Sequence, residues 1–301
     1  MHLTILGTSA GGPFHGRHYT AQVLQVENQL FLIDCGEGTQ MQFFHHKIKY
    51  DRINHIFISH LHGDHVYGLI GLLTGWCLKK RTATLHIFSP PGLQELVETT
   101  ARLCRVVFPY PLEFHEVDAS VSAKVFENQV IEVWTIPLYH RVETTGWLFR
   151  EKMRPRHILP EKIEEYAIPF SLIPGIKAGN DLELPNGRVV PNAELTLDPP
   201  KPRSFAFCSD TAPSEEVVQV VQGVDLLYHE ATFTEEHAEE ATFSFHSTAA
   251  QAAEIARRAG VKRLLLGHFS GRYFDAEQHL AEARAIFPET MEGKEGERME
   301  V

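Results

Sequence analysis

The sequence predicts an α/β (α+β) sandwich in which helices cover two β-sheets and one segment is inserted. Two observations lead to this prediction. Short apolar runs that end at polar residues alternate with helical segments through most of the 301 residues. Between about 150 and 200, however, the chain contains too many prolines and glycines to form a core element. We therefore expect one sandwich domain over residues 1–290, interrupted by an inserted arm at 150–200.

The N-terminal residues Met1 to Leu6 predict a first strand and lack the basic region, long apolar segment and cleavage site of a signal peptide. No stretch is long and apolar enough to cross a membrane. The four cysteines are scattered without a CxxC pair, which indicates small apolar residues in a reducing compartment. These features predict a cytoplasmic protein with no membrane partner.

The densest group of polar side chains follows an apolar run that predicts a buried strand. It contains three imidazoles and one carboxylate: His60, His62, Asp64 and His65. On an extended chain, side chains two positions apart point to the same side, so His60 and His62 can bind one ion together. Gly63 then permits a tight turn, after which Asp64 and His65 face elsewhere. Two nearby ions would use all four ligands.

Three more polar residues each follow a predicted strand: His140, Asp210 and His268. Sites gather at the carboxyl ends of strands in α/β sheets, so these residues are expected near the histidine-rich loop. Neutral imidazole suits zinc, and a nearby carboxylate fits a hydrolytic site rather than a closed structural one. The simpler alternatives are a histidine-rich surface loop and packed or surface histidines elsewhere.

The charge distribution gives a less direct indication of the partner. The formal net charge of −11 argues superficially against a nucleic acid, but nucleic acids respond to local patches rather than to the average. Basic residues are concentrated between Arg141 and His157, and an ordinary charged surface is the alternative explanation. Much of the acidity lies in residues 291–301, whose glycine and glutamate content predicts a disordered acidic tail.

The histidine-rich loop resembles the HxHxDH signature of the metallo-β-lactamase superfamily, whose fold is a four-layer αββα sandwich. The resemblance implies two Zn²⁺ ions per subunit, with Mn²⁺ or Fe²⁺ as possible replacements. The implied ligands divide between the two ions and include one shared carboxylate: His60, His62 and His140 for the first, Asp64, His65 and His268 for the second, and Asp210 for both.

Five further strings narrow the resemblance to ribonuclease Z, an endonuclease family that removes 3′ trailers from precursor tRNA: residues 6–13, 31–40, 229–233, 246–248 and 267–273. They extend through nearly the whole chain, and the strings at 229–233 and 246–248 are the most specific. The resemblance implies a zinc-dependent endoribonuclease that hydrolyses a phosphodiester with two metal ions. The product would be a tRNA with a 3′-hydroxyl.

The resemblance also indicates catalytic roles for Asp64, Glu230 and His246. Glu230 ends an apolar run, and a hydrogen bond from His246 would orient the imidazole and favour its protonated form. Protonated His246 would donate to the departing 3′ oxygen, and Asp64 would accept a proton from the attacking water. The alternative is that His246 caps the helix predicted from residue 247, although Ser247 or Thr248 would cap it better.

The inserted arm is long enough to indicate a function. In ribonuclease Z an arm at this position binds the tRNA elbow, often from the partner subunit of a homodimer. The resemblance therefore implies a homodimer, and it implies tRNA contacts at Pro174, Gly175 and Lys177. Arg17 and Arg272 are further candidates for substrate binding. A lid over a small-molecule pocket is the alternative for the arm.

Two other functions are compatible with parts of the sequence. A generic phosphodiesterase with the same fold would act on small or cyclic phosphodiesters. A non-catalytic RNA-binding or scaffolding protein would keep the fold without the chemistry. The complete set of candidate ligands argues against the second alternative, because a degenerate member should lose its metal-binding residues first.

Overall fold

A computed structural model describes all 301 residues of the chain. These residues form two compact units. The first unit contains Met1–Arg150 and Arg203–Val301, and the second contains Glu151–Pro202. No helix combines the length and the apolar character that a membrane span requires.

Two seven-stranded sheets lie at the centre of the first unit. In spatial order, the strands of the first sheet are β20 (Arg298–Glu300), β1 (His2–Gly7), β3 (Ala21–Val26), β4 (Gln29–Ile33), β5 (Ile53–Phe57), β6 (Leu85–Ser89) and β7 (Leu112–Glu116). Those of the second sheet are β19 (Thr290–Glu292), β17 (Leu264–Gly267), β16 (Leu226–Glu230), β15 (Ser204–Cys208), β10 (Thr145–Glu151), β9 (Ile131–Pro137) and β8 (Lys124–Glu127). Two short strands form a separate parallel pair: β2 (Ser9–Ala10) and β18 (Phe269–Ser270).

Helices cover the outer faces of both sheets. The α-helices of the first unit are α1 (Thr39–His45), α2 (Gly63–Leu78), α3 (Leu93–Cys104), α7 (Glu215–Val220), α8 (Ala238–Ser244), α9 (Ala249–Ala259) and α10 (Glu277–Ile286). Phe57 and Trp147 belong to the apolar core between the sheets, with ring centroids 5.1 Å apart. Leu69 of α2 and Ala252 of α9 belong to the two outer cores. The predicted four-layer αββα sandwich is therefore confirmed.

The topology brings the ends of many strands to the same edges. Strands β4 to β7 run parallel to one another in the first sheet, and β15, β16, β17 and β19 do so in the second. Residues that follow these strands therefore gather at the carboxyl ends of the two sheets. Strand β5 ends at Phe57 because the amide of Ser59 leaves the sheet and donates to the Asp34 side chain, at 2.7 Å.

Helix α2 begins at Gly63, within the histidine-rich segment. The loop that follows β4 fixes this start, because the Cys35 amide donates to the His65 carbonyl at 2.7 Å. The helix and this loop are in close contact: a Cβ at Gly68 would lie 2.0 Å from the carbonyl oxygen of Gly36. Only glycine permits this approach, which holds the first turn of α2 at the end of β5.

The second unit has small elements and a core of its own. In chain order these elements are β11 (His157–Ile158), α4 (Pro160–Glu165), α5 (Ile173–Lys177), β12 (Leu182–Glu183), β13 (Val189–Val190), α6 (Asn192–Leu195) and β14 (Thr196–Leu197). The buried side chains of Ile176, Leu182 and Val190 pack together in this core. The Asn192 amide donates to two backbone carbonyls within it, each at 2.7 Å. The segment between 150 and 200, which was predicted to supply no core element, thus builds a small core from very short elements.

The structure corrects the prediction of a disordered tail at 291–301. Strand β19 pairs with β17, and β20 pairs with β1. Met299 and Val301 are buried in the core between the sheets. Glu295 accepts hydrogen bonds from the backbone and ring of His18, each at 2.6 Å. Composition alone was misleading because β20 is stabilised by β1, a partner nearly 300 residues away in sequence.

The contact between α2 and the loop after β4 predicts that alanine substitutions at two glycines of α2 change the free energy of unfolding in opposite directions. Gly68→Ala forces the helix and the Gly36 carbonyl apart, and should lower the free energy of unfolding by about 1–3 kcal/mol. Gly71→Ala is the matched control, since a Cβ there meets nothing within 4 Å. It should raise the free energy of unfolding by up to about 1 kcal/mol. Urea unfolding of both variants measures the difference, and equal effects would contradict the described packing.

Candidate metal centre

The predicted metal loop lies between β5 and the first turn of α2. His60 and His62 lie on the extended segment between these two elements. Asp64 and His65 belong to the first helical turn, so the helix rather than a loose turn sets their direction. A carboxylate in this position is also stabilised by the positive end of the helix dipole.

The other three candidate ligands follow strands of the second sheet. His140 lies three residues beyond the end of β9, whereas Asp210 lies two residues beyond β15. His268 directly follows β17. Asp210 and His268 have positive φ angles of 40° and 57°, a backbone conformation that is uncommon for residues other than glycine.

One group of ligand atoms contains three histidines and one oxygen of Asp210. The potential ligand atoms of His60, His62, His140 and Asp210 all lie within 4.8 Å of one another. His60 Nε2 is 3.0 Å from His62 Nδ1 and 3.5 Å from Asp210 Oδ2. His140 Nε2 is 3.7 Å from the same oxygen.

A second group lies on the other side of the Asp210 carboxylate. His65 Nε2 and His268 Nε2 lie 3.1 Å and 3.2 Å from Asp210 Oδ1. The two nitrogens are 3.4 Å apart, and each is 3.6 Å from Asp64 Oδ2. The structure thus brings all seven predicted side chains together in two groups, and one oxygen of Asp210 faces each group.

Hydrogen bonds on the far side of the rings determine which nitrogen faces the centre. His65 Nδ1 donates to Asp34 Oδ2 at 2.7 Å. The Ser59 hydroxyl also donates to Asp34, so its oxygen accepts from His60 Nδ1 at 3.0 Å. Since the Nδ1 atom of each neutral ring carries the proton, the Nε2 atoms of His60 and His65 present lone pairs to the centre.

The two histidines that follow strands of the second sheet are oriented in the same way, by hydrogen bonds from their Nδ1 atoms. His140 Nδ1 donates to the carbonyl oxygen of Phe245 at 3.0 Å. The Thr232 hydroxyl donates to Glu230 at 2.6 Å, so its oxygen accepts from His268 Nδ1 at 3.0 Å. His140 Nε2 and His268 Nε2 therefore also face the centre as lone pairs. Such partners orient metal-binding imidazoles and fix their tautomers.

This donor set fits divalent metal ions. His140 Nε2 is buried and has no hydrogen-bond partner, although it points toward a carboxylate oxygen. The lone pairs of His60 Nε2 and His140 Nε2 face Asp210 Oδ2 at 3.5 Å and 3.7 Å, and such lone pairs repel unless positive charge lies between them. Ligands of one tetrahedral ion with bonds of about 2.0–2.1 Å are separated by about 3.3 Å, which matches these distances.

The electrostatic environment favours neutral imidazoles in the first group and an ionised Asp210, which are the forms that bind a metal ion. Burial lowers the pKa of His60, His62 and His140, so these imidazoles are neutral at pH 7. Burial opposes ionisation of Asp210, but the surrounding histidines outweigh this effect and hold its pKa well below the usual range. For His65, burial lowers the pKa, but Asp210 and Asp34 together raise it above its usual value.

Glu230 and His246 form a buried pair beside the second group. His246 Nδ1 donates to Glu230 Oε1 at 2.7 Å. Glu230 is fully buried and also accepts from the amides of Thr211 and Thr232, at 3.0 Å and 2.9 Å. Burial lowers the pKa of His246, but the charge of Glu230 outweighs burial and raises it to about 9. Thr248 caps α9 through a capping box, which confirms that His246 is not the cap.

The cleft above the seven side chains has a volume of about 340 Å³. His246 and Arg141 lie in its lining, but Arg17 and Arg272 do not. Arg17 instead donates to the Tyr273 carbonyl at 3.0 Å, and Arg272 lies 3.3 Å from Glu240. Both arginines therefore make intramolecular contacts. No role in the cleft was predicted for Arg141, although it lies in the lining.

The other predicted substrate-binding residues lie in the second unit. Pro174, Gly175 and Lys177 belong to α5. Pro174 and Lys177 line a cavity of about 810 Å³ within this unit.

Several residues of the site were not predicted from the sequence to have a role there. Asp34, Thr232 and the Phe245 carbonyl orient the histidines from positions far from the metal loop. The Gly11 amide donates to Asp64 Oδ2 at 2.9 Å. Asp34 offered one signal that could have been used, since it is a single carboxylate directly after the apolar strand β4.

Comparison with known proteins identifies the family. The chain is 46% identical over 297 residues to ribonuclease Z from Porphyromonas gingivalis, an alignment that covers 99% of this chain and 98% of the relative. It belongs to the ribonuclease Z family. Ribonuclease Z from Bacteroides fragilis is also 46% identical, over 293 residues that represent 97% of this chain and 96% of the relative. The predicted family is therefore confirmed.

Structural comparison agrees with this assignment. The crystal structure of the short form of human tRNase Z matches with a TM-score of 0.71 and 26% identity, covering 100% of this chain and 99% of the human protein. A family model described as "Beta-lactamase superfamily domain" matches residues 185–269, and one described as "Anti-Pycsar protein Apyc1" matches residues 1–101. The chain is a metal-dependent hydrolase and an endoribonuclease of the ribonuclease Z type.

The role of Asp34 in fixing two histidines predicts that Asp34→Asn weakens zinc binding about 10–100-fold. Asparagine tolerates the positive φ angle of 54° at this position, but it presents a neutral amide to His65 Nδ1 and Ser59. Competition with a chromophoric chelator measures the affinity. Asp118→Asn is the control, because Asp118 is exposed and bonds only to nearby Ser120. Equal affinities in the two variants would contradict this role.

Proposed function

We propose that the protein is a zinc-dependent endoribonuclease that removes 3′ trailers from precursor tRNA and leaves a 3′-hydroxyl on the tRNA. The observation that carries this proposal is the single carboxylate, Asp210, with one oxygen toward each of two ligand groups. A chain of the ribonuclease Z family with this arrangement has the groups needed for two-metal hydrolysis of a phosphodiester.

The seven side chains divide naturally between two ions. His60, His62 and His140 would hold the first ion, Asp64, His65 and His268 would hold the second, and Asp210 would bind both. When bound, two such cations acidify a water molecule and stabilise the charge that develops on the attacking and leaving oxygens. Zinc fits the nitrogen-rich donor set best, although Mn²⁺ and Fe²⁺ accept the same ligands.

Three residues would carry the proton transfers. Asp64 lies in the cleft, and the hydrogen bond that it accepts from the Gly11 amide favours its ionised form. We assign it as the acceptor for a proton of the attacking water. His246 lies across the cleft, and Glu230 orients its ring and favours its protonated form. We assign His246 as the donor of a proton to the departing 3′ oxygen of the tRNA.

We further propose that the second unit binds the tRNA, with α5 as part of the contact surface. Lys177 on this helix supplies a positive charge that suits a phosphate backbone. Phe170, just before α5, has a side chain that is 87% exposed and is available to stack on a nucleotide. A folded tRNA held in this way would be selected by its shape rather than by its sequence.

We further propose that the protein is a homodimer and that it is located in the cytoplasm. Helices α1 and α2 expose large apolar side chains to solvent: Met41, Phe44, Tyr67 and Leu78. A surface of this kind is suited to a self-complementary interface about a twofold axis. A cytoplasmic location agrees with the four free cysteines and with the place where precursor tRNA is processed.

The function is tested by cleavage of a folded precursor tRNA that carries a 3′ trailer, with the cut mapped to the nucleotide. We expect one metal-dependent cut near the discriminator nucleotide, and its loss in Asp210→Ala because each ligand group loses one oxygen of the shared carboxylate. A small phosphodiester is the parallel substrate. Turnover of the small diester without a cut in the folded RNA would replace this proposal by a general phosphodiesterase.

The assignment of His246 predicts that His246→Ala lowers kcat about 10²–10⁴-fold while metal content stays at the wild-type level. Glu230→Gln is the matched variant, since glutamine keeps a hydrogen bond to the ring but removes the charge that favours its protonation. It should have an intermediate kcat. Single-turnover cleavage and metal analysis on the same preparations measure both quantities. Loss of metal from His246→Ala would show that the residue acts in metal binding instead.

A further inference from the structure

A separate cluster of polar side chains lies on strands β6 and β7 of the first sheet. His86 is on β6, and Glu113 and His115 are on β7. His86 lies opposite Glu113 in the strand register, and Glu113 and His115, two positions apart, point to the same face. None of the three lines the catalytic cleft or belongs to the seven-residue centre.

The three side chains direct one ligand atom each toward a common point. His86 Nδ1 lies 3.2 Å from His115 Nε2 and 3.2 Å from Glu113 Oε2. A single hydrogen on His86 Nδ1 cannot satisfy both neighbours. If His115 donates instead, His86 Nδ1 has no proton for the carboxylate. A cation at the common point would bind all three atoms at once.

The geometry resembles that of the catalytic centre. His65 and His268 have nitrogens 3.4 Å apart and ring centroids 5.3 Å apart. His86 and His115 have nitrogens 3.2 Å apart and ring centroids 5.4 Å apart. Both sets of distances agree with the spacing of about 3.3 Å expected for neighbouring ligands of one tetrahedral ion.

Neighbouring rings hold the two imidazoles in place. The His55 ring stacks on His86 with centroids 5.2 Å apart, and Phe88 stacks on His115 at 4.5 Å. Burial and the nearby His86 lower the pKa of His115, which keeps this ring available as a neutral ligand. The side chains of His86 and Glu113 are 31% and 53% exposed, so an ion and a water molecule can reach the site from solvent.

We propose that His86, Glu113 and His115 bind a further divalent transition-metal ion of the zinc type, with water as its fourth ligand. Two nitrogens and one oxygen favour zinc over Mg²⁺ and Ca²⁺, which require mainly oxygen ligands. The ion links β7, the edge strand of the first sheet, to β6. It stabilises this edge and takes no part in phosphodiester hydrolysis, so the site is independent of the proposed function.

The test compares zinc binding by wild-type enzyme, the double variant His86→Ala/His115→Ala and the control His157→Ala. His157 is an exposed histidine of the second unit. Metal analysis and calorimetric titration with Zn²⁺ should find one more equivalent per chain in the wild type and control than in the double variant. Added Zn²⁺ should raise the Tm of the first two proteins only. Cleavage of precursor tRNA should be equal in the wild type and the double variant.

A milder variant keeps the test decisive if the double variant fails to fold. Glu113→Gln changes one half-exposed side chain, and should weaken binding of the additional equivalent about tenfold without loss of folding. The proposal is overturned if wild-type enzyme binds no zinc beyond its catalytic equivalents, which would leave only a His86–His115 hydrogen bond. Equal stoichiometry and affinity in wild-type enzyme and Glu113→Gln would overturn it as well.

Discussion

The site is organised by the electrostatics of one buried carboxylate. Asp210 is 3% exposed, and its two oxygens face the Nε2 atoms of His60, His65, His140 and His268. In a neutral ring each of these Nε2 atoms carries a lone pair, because the Nδ1 atom of the same ring holds the proton and donates a hydrogen bond to an oxygen elsewhere. Nitrogen lone pairs that face carboxylate oxygens at 3.1–3.7 Å are stable only with positive charge between them. The requirement for divalent metal ions therefore follows from the hydrogen bonds behind the rings.

The fold places the residues of the site at the ends of strands, at the edge of the two sheets that borders the cleft. Asp34, Asp210 and His268 each follow a strand within two residues, and each has a positive φ angle of 54°, 40° or 57°. This backbone conformation turns the chain sharply while the side chain stays at the edge of the sheet. Such strain persists only where the surroundings enforce it, and it is concentrated at functional sites. The glycine contact between α2 and the loop after β4 likewise holds the metal loop in position.

The sequence was sufficient to find the seven candidate ligands that the structure brings together, but not the residues that orient them. His60, His62, Asp64 and His65 are dense in sequence, and His140, Asp210 and His268 each follow an apolar strand, so local patterns revealed them. Asp34, Thr232 and the Phe245 carbonyl act through contacts between distant segments, which no local pattern encodes. The same reason explains the last strand of the tail, which pairs with β1 at the other end of the chain. It also explains the cluster of His86, Glu113 and His115, which strand register alone assembles.

The most direct test of this account is a crystal structure of the zinc-loaded enzyme with anomalous data collected on both sides of the zinc absorption edge. We expect two anomalous peaks in the cleft, one bound by Asp210 Oδ1 with His65 and His268, and one bound by Asp210 Oδ2 with His60 and His140. A single peak, or two peaks without Asp210 between them, would contradict the account.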